Sequence, residues 1–163
     1  MNNVLPHPLT TQVVPLGYVF RGEFGLYVFV YNFGADSFVI GDVVSIATTN
    51  TRGYVTNTAA TVEDYTDGTT IRPVIAGVAL SAVATTQYGW LFFRGRTTTH
   101  TMTTDGNVAA DDLLTVTDGV KIATREVTAA TAHRSPIGVA HAADAALVLS
   151  NYSLFGDGLF PGI

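Results

Sequence analysis

The sequence predicts an all-β protein: a small β-barrel or β-sandwich with extended N- and C-terminal arms. Three observations predict it. The apolar runs are short and are broken by Gly, Asp and Asn. Valine, isoleucine, threonine and aromatic residues fill them, and these side chains pack well on a pleated surface. No stretch keeps the 3.6-residue period of a long amphipathic helix.

The longest uncharged run, after Arg72 and Pro73, carries no acid or base until Arg94. A membrane helix needs about 20 predominantly apolar residues, and this run is long enough by count. Its centre is Thr85-Thr86-Gln87-Tyr88-Gly89, which is polar and turn-forming, and Gly77 lies inside it as well. It therefore reads as two strands, Val74–Leu80 and Tyr88–Phe93, joined by a loop near Ala84–Gln87. The same grammar gives a strand over Gly25–Phe33, whose aromatics alternate with Val28 and Val30. One face of that strand is expected in the core and the other at an interface, or both faces in the core. Phe38-Val39-Ile40 leads to a Gly41-Asp42 turn and a strand Val43–Ala47. Leu113–Val116 and Val120–Ala123 flank Asp118-Gly119, a strong hairpin signal. Ile137–Ala140 and Ala145–Ser150 close the series. Asp105–Asp112, Thr128–Ala132 and Ala142–Ala146 are the places where a turn of helix would fit.

The organisation follows: residues 1–16 as an N-terminal arm with Pro6, Pro8 and Pro15, 17–150 as the β domain, and 151–163 as an apolar C-terminal tail. Gly77-Val78-Ala79 and Gly138-Val139-Ala140 match as G-V-A-x-x-A. Each has an Asp-led strand upstream, Asp42-Val43-Val44 and Asp112-Leu113-Leu114. This is either a duplication, giving two pseudo-repeated halves that pack face to face, or a chance recurrence of short apolar motifs.

Composition excludes several function classes. Of 163 residues 47% are hydrophobic and 13% charged, and the net charge is −5. That charge content is about half the usual ~25%, which favours self-association. Lys121 is the only lysine and the arginines are scattered, so no cationic patch is expected to bind nucleic acid. There is no cysteine, hence no disulfide and no thiolate metal site. The first residues lack a basic segment followed by an apolar one, so a signal peptide is not expected.

Catalytic and metal patterns are sparse. His7, His100, His133 and His141 show no paired-ligand spacing. Asp105-x-Asn107 with Asp111 and Asp112 lacks the order and closing Glu of a calcium loop, and a turn with capping acids explains it. Glu63, Asp64 and Asp67 sit in a polar, turn-rich stretch and read as solvated. No cofactor, metal or catalytic residue is expected. Small trimeric β enzymes of the dUTPase type have a similar length, but their C-terminal phosphate-binding arm begins with arginine. Here the arm is Phe155-Gly156-Asp157-Gly158-Leu159-Phe160-Pro161, without a cation.

Gly41-Asp42-Val43-Val44, Ile75-Ala76-Gly77-Val78-Ala79 and Tyr88-Gly89-Trp90-Leu91 with Gly95 resemble the decoration (cement) proteins of tailed bacteriophage heads. Asp112-Leu113-Leu114 and Ile137-Gly138-Val139-Ala140 echo part of the pattern, and the likeness covers roughly residues 38–150. The resemblance implies a structural virion protein, not an enzyme, made in the host cytoplasm. It would bind the outside of the major capsid protein shell, as a homotrimer, with no membrane partner. The two ends are expected to make the contacts, through Leu5, Val13, Val14, Leu154, Phe155, Leu159, Phe160 and Ile163, since clustered exposed apolar residues mark interaction sites. The alternative is another virion or adhesive β-module: a head fibre, a tail component, or a sugar binder using Arg52, Tyr54 and Asn57 or Asp64, Tyr65 and Asp67.

Overall fold

The structure is a computed structural model that describes residues 8–33, 37–46, 54–57, 75–116, 122–125 and 136–155. Twelve strands run in chain order: β1 Val19–Arg21, β2 Gly25–Asn32, β3 Val43–Ile46, β4 Tyr54–Asn57, β5 Ile75–Ala79, β6 Tyr88–Thr97, β7 Met102–Thr103, β8 Leu113–Val116, β9 Ala123–Arg125, β10 Gly138–Ala140, β11 Val148–Leu149 and β12 Tyr152–Leu154. Among the described residues there is no helix, so the all-β expectation holds. Asp105–Asp112 and Ala142–Ala146 form bends and turns instead of helix. Thr128–Ala132 lies outside the described residues, as does the Asp118-Gly119 turn, although the strands it would join, β8 and β9, pair antiparallel.

Ten strands share one sheet, in the order β1-β2-β4-β3-β5-β6-β12-β10-β8-β9. Its pairings run round two circuits, of which strand pairing closes the first only. In the first, β2 pairs β4 in parallel, β4 pairs β3, β3 pairs β5, β5 pairs β6, and β6 returns to β2. In the second, the end of β6 pairs β12, followed by β10, β8 and β9. Thr104, just past β7, meets Ala123 of β9 in a parallel bridge. Strand β6 belongs to both circuits, since its first part closes the first ring and its last part opens the second.

The G-V-A recurrence is a structural duplication. Val43 faces Val78 and Val44 faces Gly77; in the second copy Leu113 faces Val139 and Leu114 faces Gly138. The hydrogen bonds repeat as well. Ala79 N donates to Asp42 O and Ala140 N to Asp112 O, both at 2.9 Å, while Gly41 N donates to Ala79 O and Asp111 N to Ala140 O, again both at 2.9 Å. Strand β6 is common to both copies, and Val43, Val78 and Phe92 of the first share one buried cluster with Leu114, Tyr152 and Leu154 of the second.

The repeated glycine has a steric cause. A Cβ at Gly77 would lie 2.5 Å from the Phe92 carbonyl oxygen, and one at Gly138 would lie 2.1 Å from that of Ser153. Phe92 and Ser153 hold the same place in the strand that follows. Close approach of two backbones leaves no room for a side chain.

Alternation along the strands fills two buried clusters. Val28 and Val30 of β2, Val44 of β3, Leu91 and Phe93 of β6, and Phe38 form one. Tyr27, Phe29, Val43, Val78, Trp90 and Phe92, on the opposite face of the same strands, join a second cluster with Leu114, Tyr152 and Leu154. Both faces of β2 are therefore core. Each fully buried side chain of this size contributes about 1.5–3 kcal/mol.

The described parts of the two expected arms are tied to the sheet. Leu9 bridges Tyr88 with paired 2.9 Å backbone hydrogen bonds, and Leu9, Val14 and Leu16 pack on the core. Residues 152–154 form β12, paired on both sides, so Ser150 is not a domain boundary.

Candidate interaction surface

The expected contact residues separate. Leu154 is 5% exposed inside the sheet and Val14 packs against the core, so neither offers a free apolar face. Burial wins at both positions because the chain there is tied to neighbouring strands. Val13 and Phe155 are exposed. Leu5, Leu159, Phe160 and Ile163 lie outside the described residues, as do Arg52, Glu63, Asp64, Tyr65 and Asp67.

The structure brings a different apolar group to the surface. Asp42 N donates to Val39 O at 3.1 Å, and Val39 N donates to Asp42 Oδ2 at 2.9 Å. Gly41 has φ +88°. Positive φ at the third position of a four-residue turn is the type II pattern, which glycine supplies. The turn leaves Val39 55% and Ile40 58% exposed.

A second turn lies beside it. Ala145 and Val148 exchange backbone hydrogen bonds of 2.9 and 3.0 Å, and the two residues between them, Ala146 and Leu147, have φ of +52° and +67°. That is a type I′ turn without the usual Asn-Gly. Left-handed backbone costs an L-residue about 1–2 kcal/mol. The strained turn holds Leu147 55% exposed, with Val148 beside it also exposed.

Strand β7 joins the two turns. Thr103 N donates to Gly41 O at 2.9 Å, Thr103 pairs with Val148, and Thr104 N donates to Leu147 O at 2.8 Å. The turn that carries Val39 and Ile40 and the turn that carries Leu147 and Val148 are thus both tied to β7 through its backbone. Backbone strain that holds a large apolar side chain in water is the kind found at functional sites.

The polar groups have local tasks. Burial pushes the Asp105 carboxyl up, but hydrogen bonds from the Thr124 hydroxyl (2.6 Å) and the Asn107 N–H (3.1 Å) outweigh it and leave the group below its ordinary value. Asp112 Oδ2 accepts from Ala109 N at 2.8 Å, repeating the Asp42 contact. These acids cap turns, and among the described residues no group of three His, Asp or Glu is placed to hold a metal ion. Tyr27 Oη and His100 Nε2 are 2.9 Å apart, and burial lowers the His100 pKa. His141 Nε2 lies 2.8 Å from Ser153 Oγ. That is nucleophile–base distance, but the pair sits on a sheet face and His141 has no carboxylate partner among the described residues to orient it. Asn151, in the Asn-Tyr-Ser sequon, precedes a fully buried Tyr152, and its own Oδ1 is buried.

No family model matches the chain, and no curated protein matches it.

Sequence reading placed the Gly41-Asp42 turn but did not single out the apolar pair it exposes, and it missed the turn at Ala146-Leu147. Val39 and Ile40 directly precede Gly-Asp, which puts them at the corners of a turn, and that signal was present. Leu147 carried none, since Ala-Ala-Leu-Val has strand composition and its left-handed backbone is imposed by tertiary pairing.

Proposed function

We propose that this chain is a structural virion protein of the head-decoration kind, which binds the outer surface of a tailed-phage capsid shell and assembles as a trimer. The observation that supports it most is the apolar group around Thr103: four exposed aliphatic residues on two turns that are hydrogen-bonded to β7. Such a surface gains by being covered. Low charge over the whole chain points the same way, and several modest contacts in a trimer supply avidity. The Asp-led strands and G-V-A strands that carry the resemblance to decoration proteins are the duplicated pairs β3–β5 and β8–β10.

Co-sedimentation with undecorated heads from the parent phage tests this reading. The wild-type chain is expected to pellet with the heads, and Ile40→Asp and Leu147→Asp are expected to weaken binding at least tenfold while the proteins stay folded. Wild-type protein that remains in the supernatant would remove the reading. Binding untouched by both substitutions would move the contact elsewhere on the chain.

A further inference from the structure

The duplication supplies an internal comparison. In the first copy, Val43, Val78, Phe92 and Tyr27 form one row across four strands: Val43 faces Val78, Val78 faces Phe92, and Phe92 faces Tyr27. All four are buried. His100 packs on Phe92 and Tyr27 with ring centroids 5.3 and 5.5 Å away, and Tyr152 of the second copy lies 6.0 Å from Phe92. The second copy therefore helps to cover this row.

The matching row of the second copy is Leu113, Val139, Ser153 and Arg96, with the same pairings. The described chain covers it less completely, and His141 Nε2 lies 2.8 Å from Ser153 Oγ. Leu113 is 44% exposed, Val139 and Ser153 are half-buried and Arg96 is exposed. The half of the row nearest β8 is still aliphatic, and leucine there is larger than the valine it matches. The other half has become polar.

We propose that this face is where a second copy of the chain packs. The inference rests on the self-assembly part of the reading above and gives it a surface. Two features favour a second copy over other occupants. The equivalent face of the first copy is already an interface between units of this fold. The row is also electrically asymmetric: Asp111, exposed, and Asp112 adjoin Leu113 at one end, and Arg96 stands three strands away at the other, about 14 Å at the usual strand spacing. A neighbouring copy that places its aliphatic half against Leu113 and Val139 brings opposite charges together at the rim. Rim charges set register and specificity more than affinity.

The test is the mass of the full chain in solution by light scattering, across a range of concentrations. The wild type is expected to be a multiple of the 17.2 kDa chain, and Leu113→Asp to fall to a single chain. Arg96→Glu is expected to weaken association, and Asp111→Lys added to it to restore association. Leu113, Arg96 and Asp111 are all exposed, Asp111 with φ +69°, and circular dichroism of each variant verifies the fold. A wild type at the mass of one chain, or an assembly that survives Leu113→Asp, overturns the proposal. A dimer that Leu113→Asp breaks would uphold this face and remove the trimer. Head binding lost through Ile40→Asp, with the mass unchanged, would separate the two surfaces.

Discussion

Gly77 and Gly138 occupy one position of a unit that the chain builds twice, and each is held against a backbone carbonyl of the next strand, Phe92 and Ser153 respectively. Alanine at either site places a methyl group where the partner strand already lies. Gly138→Ala is expected to lower stability by about 1–3 kcal/mol, the usual cost of overpacking. Gly77→Ala is expected to cost more, because Gly77 also has φ +148°. Urea unfolding midpoints measure both, and wild-type midpoints would show that the strands separate easily.

Tyr152 is fully buried and its hydroxyl has no hydrogen-bond partner among the described residues. Burial, followed by the nearby Tyr27, raises its pKa. A buried polar group without a partner costs about 1–3 kcal/mol. Tyr152→Phe is therefore expected to raise the unfolding temperature, and a lowered one would show that the hydroxyl is hydrogen-bonded to an internal water.

Asp42 and Asp112 cap the same turn in the two copies, but Asp42 is buried and Asp112 half-buried. Replacing either with alanine leaves the Val39 or Ala109 N–H without its acceptor. The expected cost is about 0.5–1.5 kcal/mol for Asp112→Ala and more for Asp42→Ala, read from the same unfolding curves. Equal costs would mean that burial of the turn does not matter.

Below neutral pH, His100 sets a sensitivity. Burial lowers its folded pKa from the ordinary value of 6.5, so the unfolded chain binds the proton first. Its contribution is complete above pH 6.5 and is lost as pH falls from there towards the folded value. Asp105 acts lower down: its folded pKa lies below 3.8, so its contribution is present above that value and lost in stronger acid. His100→Phe is expected to flatten the upper part of the stability profile alone. An unchanged slope between pH 7 and 5 would assign it to other groups.

Much of the fold was legible because strand composition and Gly-Asp punctuation are local signals. The uncharged run resolved into β5 and β6, and the matched Asp-led and G-V-A strands marked the duplication. The sharing of β6 by both copies was not legible, because it depends on β6 continuing through Arg94–Thr97 to pair with β12, a long-range pairing that no local pattern encodes. Asn151–Leu154 read as a tail for the same reason, since the four residues between Asn151 and Gly156 are too few to show a period. At the surface, Ile40 could be placed by its neighbours. Leu147 could not, because β7 fixes its turn from another part of the chain.

The central claim is a structural place on a phage head, and counting copies tests it most directly. Gradient-purified particles would be analysed by quantitative mass spectrometry, with this chain measured against the major shell protein. The account predicts a ratio near one to one or a simple fraction of it. A few copies per particle would contradict shell-wide decoration and indicate a fibre or tail part, and absence from the particle would contradict the virion role altogether.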